Sequence, residues 1–269
     1  MHRNRILAAL PQDELNRMLP AMQRVDLPLK QVLIDPNRPI RNVYFPEEGV
    51  VSIVGLMRDG AAVETATVGN DGMVGMPVFL GTDRMAAQAF VQVSGWGWRM
   101  DADAFRAELA LGGVLGRRLA LYTQALMTLM WQNSACNRLH AAEQRCARWL
   151  LLTADRVGGP TMDLTHFFLS QMLGVRRATV TEIAGGLQER GLIEYSRGRI
   201  TIVDRPGLEA LSCECYGVIL SEFDRLLGGG TIPSPLDTVD VSEGGLSTAG
   251  EGAPAEPKFA TRRAEAAGG

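Results

Sequence analysis

The chain has 269 residues, with 27 Lys or Arg against 30 Asp or Glu and a formal net charge of −3. That balance excludes a protein that coats nucleic acid by bulk charge, and the length suits about two domains, each with its own core. Four cysteines, Cys136, Cys146, Cys213 and Cys215, are too sparse for a disulfide scaffold. There is no signal-peptide core and no apolar run of about 18 residues, so the expectation is a cytoplasmic protein that does not enter a membrane.

At the start, Ile6, Leu7, Leu10, Leu15 and Leu19 recur at helical spacing and predict an amphipathic helix over 5–19. From about 22 to 100 the period changes to two. The predicted strands are 22–29, 32–34, 42–45, 50–57, 62–68, 89–93 and 96–100. Turns fall at Pro36-Asn37, Pro46-Glu47-Glu48-Gly49, Arg58-Asp59-Gly60 and Asn70-Asp71-Gly72. Short strands at this spacing predict a β-barrel or jelly roll. A short helix is expected over 101–110, then a long one from about Gly113 to Leu139. On the long helix Leu115, Leu119, Tyr122, Leu126, Leu129, Asn133 and Cys136 alternate steps of four and three, a heptad seam. An asparagine in such a seam typically fixes register and partner number. The stripe meets either a second copy of the chain or the chain's own barrel; a dimer is the expectation.

Ala141 to Val157 reads as a further helix with Cys146, Trp149, Leu150, Thr153 and Val157 inward, ended by Gly158-Gly159-Pro160. It opens a second domain organised around Leu164 to Val203. There Thr165 can cap a helix whose apolar face is Phe168, Leu169, Met172 and Leu173, and Gly174 stops it. A second helix runs to Gly191 with Val180, Ile183, Ala184 and Leu187 inward and Arg177, Ala178, Thr181, Glu182 and Gln188 outward. Two short β-prone runs, 192–195 and 199–203, flank Ser196-Arg197-Gly198 as a hairpin with a basic tip. This is a winged helix-turn-helix pattern. Arg177 can offer two parallel donors to a guanine edge, Glu182 can accept from a cytosine amino group, and Arg197 and Arg199 suit phosphates. The plainer alternative is a small helical core whose arginines are only solvated. From 138 to 199 there are nine Arg against six Asp or Glu, a locally basic stretch in an acidic chain. Pro206 to Leu227 reads as a closing helix. Residues 229–269 are rich in Gly, Pro and Ser and are expected to be a disordered tail.

LSQMLGVRRATVTEIAGGLQERGLI followed by YSRGRITIVD resembles the DNA-binding domain of the Crp/Fnr family of bacterial regulators. The likeness extends through nearly all of the first 228 residues and is strongest in the winged helix. It implies an α+β fold: a cyclic-nucleotide-binding-like β-roll over 1–110, a dimerisation helix over 111–139 and a winged helix-turn-helix over 140–228. By the same resemblance Arg177, Ala178 and Glu182 take the base-reading positions and Thr179 a phosphate position. Ala178 departs from the acidic residue common there, so the family's usual half-site does not carry over. Arg176 stands where a capping serine is common; losing that cap costs about 1 kcal/mol, but adds a charge facing the DNA backbone. In the roll, family members that bind cyclic nucleotides use a glycine–glutamate pair for the ribose and an arginine about ten residues on for the phosphate. Here Gly75 is followed by Met76, which cannot accept from a hydroxyl at useful strength, and Ala86 takes the arginine's place with Arg84 two residues early. The expected effector is therefore not a cyclic nucleotide, with Gly75, Met76 and Arg84 as weak candidates for the site.

No cysteine precedes Cys136, so the N-terminal iron–sulfur site of oxygen-sensing relatives is not expected. Cys136, His140 and Glu143 share a helical face that can coordinate a metal across a dimer, but satisfied interface polar groups are commoner. Cys213-Glu-Cys215 lacks a second ligand pair. The expectation is no metal, no cofactor and, without a nucleophile–base pair or spaced carboxylates, no catalytic residue. Expected partners are double-stranded DNA carrying an inverted-repeat operator, a second copy of the chain, and RNA polymerase. The alternative function is a ligand-binding signalling protein whose winged helix docks protein.

Overall fold

The computed structural model describes residues 2–58 and 60–228; the stretch expected as a disordered tail, 229–269, lies outside the described residues. The predicted first helix is two. Asn4 caps α1 (Arg5–Ala8) by accepting from the amides of Ile6 and Leu7, and Pro11 separates it from α2 (Gln12–Met18). Proline has no N–H to continue a helix but is tolerated at a start.

A 3-10 turn, Leu19–Ala21, leads into the roll: β1 (Met22–Leu27), β2 (Val32–Ile34), β3 (Asn42–Leu56), β4 (Ala62–Val68), α3 (Met76–Phe79) and β5 (Gln88–Asp101). The antiparallel sheet has the order β1-β5-β3-β4, with β2 also on β5. One expected turn, at 46–49, and the expected break between strands 89–93 and 96–100 are absent. Pro46 to Gly49 and Ser94-Gly95 lie inside single long strands, whose paired registers shift between Pro46 and Glu48, Glu48 and Val50, and Val50 and Val51. Bulges bend the strands where the residue types suggested breaks. Gly95 is required for it: a Cβ there would lie 2.2 Å from the Glu48 carbonyl oxygen.

Asp101 caps α4 (Ala102–Ala110) by accepting from Asp103 and Ala104 amides. The long α5 (Val114–Leu139) starts on the carboxylate of buried Glu14, which accepts from the amides of Val114 and Leu115 at 2.6 and 3.0 Å. An anion on these unpaired N–H groups satisfies the helix end and its dipole.

The heptad stripe of α5 is spent within the chain. Leu115, Leu119, Tyr122, Leu126, Leu129 and Asn133 are all buried against the roll and against α10 (Cys215–Leu227). α10 runs antiparallel to α5: Gln132 donates to Cys215, Gln124 to Glu222, and Arg118 to the Leu227 carbonyl. Asn133, expected to set a dimer register, instead donates to the Thr65 carbonyl on β4 at 2.9 Å and accepts from Arg148. A 26-residue helix flanked by a barrel and a returning helix has apolar surface to cover on that side before any partner arrives.

α6 (Ala142–Val157) opens the second half, followed by β6 (Thr161–Asp163), α7 (His166–Leu173), α8 (Arg177–Glu189), β7 (Ile193–Ser196), β8 (Arg199–Ile202) and α9 (Arg205–Leu211). The predicted closing helix is broken between α9 and α10, where Ser212 turns to extended backbone and bonds the Glu209 carbonyl through its hydroxyl. Three α6 arginines are interior: Arg145 donates to Leu173 O, Arg148 to Asn133, and Arg156 to Asp71 at 2.8 Å. They hold elements together, so three of the nine arginines counted over 138–199 never reach the surface. One apolar cluster runs from Ile6 through the roll, α5 and α6 to Leu227, joining both halves.

Candidate nucleic-acid interface

The helix-turn-helix forms as its punctuation predicts. The Thr165 hydroxyl accepts from the Phe168 amide, and Gly174 ends α7 in the left-handed conformation. Val180, Ile183, Ala184 and Leu187 seat α8 on the core. Arg176 is its N-cap with no side-chain cap bond, and no acidic residue lies in the first turn. The positive end of α8 is thus bare, an anion-binding helix start.

Arg176, Arg177, Ala178, Thr181 and Glu182 are exposed, with Thr179 partly so. The side chains of Arg176, Arg177, Glu182 and Arg197 carry no hydrogen bond or ion pair among the described residues. Thr181 differs: its hydroxyl donates to the Arg177 carbonyl and meets His166 Nδ1 at 3.0 Å, so it is committed to the fold. The wing is a two-residue hairpin in which Ser196 pairs Arg199 and both central residues have positive φ, Arg197 at 50° and Gly198 at 78°. This suits the twist of the flanking strands and points Arg197 outward at the tip. Arg199 is exposed but bonded through Nε to Asp163 Oδ1 at 2.8 Å. Its charge is therefore paired with Asp163 at the surface.

Sequence reasoning missed the parts that brace this surface. β6 is a third wing strand on β8, too short at three residues to show a period. His166 stacks on Tyr195, rings 4.4 Å apart and 18° from parallel, while Gln188 accepts from the Tyr195 amide. Burial, then the nearby Arg177 charge, holds His166 below the usual histidine range, and its Nε2 has no partner. These contacts tie α7, α8 and the wing into one plate.

The weak effector candidates do not converge. Met76 lies in the interior of the roll, and Gly75 abuts Val43. Arg84 is on an exposed loop beside Asp83, 3.4 Å away.

Two family models match the chain: the cyclic nucleotide-binding domain over 24–110 and the Crp-like helix-turn-helix domain over 144–211. Together they cover more than half of it, in the family's order. The chain belongs to the Crp/Fnr family. It is a DNA-binding transcription regulator of that type. Among solved structures it is similar to FixK2 from Bradyrhizobium japonicum, at 17% identity and TM-score 0.61 over 71% of this chain and 98% of that one. A putative crp/fnr-family transcriptional regulator from Eubacterium rectale matches at 18% and 0.57, over 77% of this chain and 96% of that chain. A CRP-family regulator from Thermus thermophilus matches at 20% and 0.57, over 71% and 96%. At these identities the structures speak for the fold. No curated protein gives a significant match.

In this Crp/Fnr chain the helix-turn-helix is joined to the roll by a buried polar network. Glu64 on β4 accepts from Trp149 Nε1 of α6 at 2.7 Å and from the Ser52 hydroxyl at 2.6 Å. Ser52 in turn meets Gln92 and, at 3.5 Å, the sulfur of Met172 on α7. Burial pushes the Glu64 carboxyl up to about 7, outweighing Ser52, Trp149 and Arg148, which favour its charged form. Beside the network Phe90 and Phe168 meet edge to face, centroids 5.9 Å apart. Roll and reading head thus share a titratable joint.

Proposed function

We propose that the protein acts as a homodimer that reads an inverted-repeat operator in double-stranded DNA, under an effector that is not a cyclic nucleotide. The observation that carries this is the bare α8 face, Arg176, Arg177, Ala178 and Glu182, set beside the Arg197 wing tip. Arg177 and Glu182 read base edges, Ala178 offers a methyl to thymine, and Arg176, Thr179 and Arg197 hold phosphates. Arg199 contributes to the backbone contact only when it leaves Asp163. The self-contact is assigned to the outer face of α5, where Met127, Met130 and Trp131 are 42, 44 and 63% exposed, since the heptad stripe is occupied. That apolar strip on the long helix supports a two-fold pairing in the cytoplasm. Recruitment of RNA polymerase belongs to the same reading. No helix among the described residues is long and apolar enough to cross a membrane.

The test is selection of bound fragments from total genomic DNA by the purified protein, then gel shifts with competitor. Fragments sharing an inverted repeat, with half-sites about 34 Å apart, are the expected result. Fragments with no common repeat, or no retention against competitor, overturn the reading.

A further inference from the structure

At the far end of the α5–α10 pair, four soft donors converge that no role above uses. Cys136 and His140 stand one helical turn apart at the end of α5; Cys213 and Cys215 lie where the chain leaves α9 and enters α10. The antiparallel packing of α10 brings the two pairs together. One donor atom from each, three sulfurs and an imidazole nitrogen, all lie within 4.8 Å of one another. Cys136 Sγ is 3.5 Å from Cys213 Sγ, and Cys215 Sγ is 3.4 Å from His140 Nδ1. The three cysteines are buried, none is in a disulfide, and they form a cluster of their own, apart from the main core.

A tetrahedral ion with sulfurs at about 2.3 Å and an imidazole nitrogen at about 2.0–2.1 Å holds its donors roughly 3.5–3.8 Å apart. The Cys136–Cys213 and Cys215–His140 separations lie close to that value and no pair exceeds 4.8 Å, so one ion reaches all four with modest side-chain shifts. The surroundings also suit it. His140 Nε2 is 3.2 Å from Glu214 Oε1, so Nε2 carries the proton and Nδ1 the lone pair that faces the sulfurs. A carboxylate behind a ligating imidazole fixes its tautomer and orientation. Gln132 Nε2 donates to Cys215 Sγ at 3.1 Å, a bond that favours thiolate. Glu143, on the same sequence face, turns away to pair with Arg190.

We propose that Cys136, His140, Cys213 and Cys215 form a Cys3His site for a single divalent, borderline-soft ion of the Zn2+ class. Four protein donors leave no open position, which marks a structural or regulatory site. An iron–sulfur cluster would need donors spread around several metal atoms, wider than these. His140 caps the end of α5 and is followed by Ala141, the N-cap of α6, so the ion clamps the joint between the long helix and the DNA-reading half. Ligands from two chain segments more than 70 residues apart couple the site to folding of α10 on α5.

The experiment uses the full chain, purified reduced and without chelator. Elemental analysis is expected to find one Zn2+ per chain. After stripping, Co2+ is expected to bind one per chain, with thiolate charge-transfer absorption and the strong visible bands of a tetrahedral ion. C213S with C215S loses both signals; C146S, whose thiol is buried in the main core, keeps them. Because the double variant can fail to fold, thiol alkylation of the native chain gives a second reading: Zn2+ shields Cys136, Cys213 and Cys215 and chelation exposes them. The proposal is overturned if the reduced apo chain takes up neither ion stoichiometrically, if the double variant folds and still binds, or if a Cys136–Cys213 disulfide forms in air with no metal uptake. None of these outcomes touches DNA binding, so this test stands apart from the operator test.

Discussion

In the proposed reading Arg177 reads base edges, while Asp163 restrains the phosphate-holding Arg199. Arg177 is free at the start of α8, so Arg177→Ala is expected to cost roughly 1–3 kcal/mol on the operator while leaving random DNA nearly unchanged. Equal losses on both would make it a phosphate clamp only. Asp163 neutralises Arg199 at 2.8 Å. Asp163→Asn releases that cation and is expected to strengthen binding to all sequences and steepen the salt dependence by about one per subunit, read from affinity against salt concentration. Glu64 supplies a pH prediction. Its folded-state pKa is raised from 4.5 to about 7. Between those values the folded chain keeps a proton that the unfolded chain has lost, so this group's stabilisation is complete below pH 4.5 and is lost as pH rises through 7. The full swing is about 3 kcal/mol. Glu64→Gln, which still accepts from Trp149, is expected to flatten stability between pH 5 and 8 in urea titrations; an unchanged slope would mean the carboxyl titrates normally.

Among the elements, α5 has two faces to which the proposed reading gives different jobs. The inner one is core: Leu129→Ala there is expected to cost about 2–5 kcal/mol in denaturant titrations, through the cavity it leaves. The outer one carries Met127, Met130 and Trp131. Met127→Glu with Trp131→Glu is expected to yield folded monomers by sedimentation, with thermal stability nearly unchanged at low protein concentration, and to abolish tight operator binding. A native chain already monomeric at micromolar concentration, or a double variant that remains dimeric, would move the interface elsewhere. The wing shows the opposite economy. With positive φ at Arg197 and Gly198, two residues suffice to turn the chain, and the third strand gives the hairpin a base it would otherwise lack.

For the whole molecule, roll and helix-turn-helix share one core, and Ser52, Glu64 and Met172 form a short contact path from the roll to α7 that the proposed effector response would use. What starts the signal is not cyclic AMP or cyclic GMP in this reading. Met76 lies inside the roll and Arg84 faces solvent beside Asp83, so an anionic phosphate buried near Gly75 would lack a charged partner. Calorimetry against both nucleotides is expected to show no saturable heat at micromolar concentrations. A micromolar affinity for either would require a rearranged loop that brings Arg84 inward.

What the sequence determined by itself was whatever is encoded within a few neighbouring residues. The helix-turn-helix was legible because Thr165, Gly174 and Gly191 punctuate it and an apolar stripe runs between them. The wing tip and the outward face of α8 followed from the same local rules. Periodicity also found the inner stripe of α5 but not its occupant, because a heptad seam and a face packed on β4 and α10 demand the same apolar spacing. Only the tertiary structure decided that Asn133 bonds Thr65 and Arg148, that Arg145, Arg148 and Arg156 are interior, and that Arg199 is shared with Asp163. It alone brought Cys136 and His140 to Cys213 and Cys215. Each of these joins residues distant along the chain, and their meeting depends on how the helices return over the roll, which no local spacing encodes.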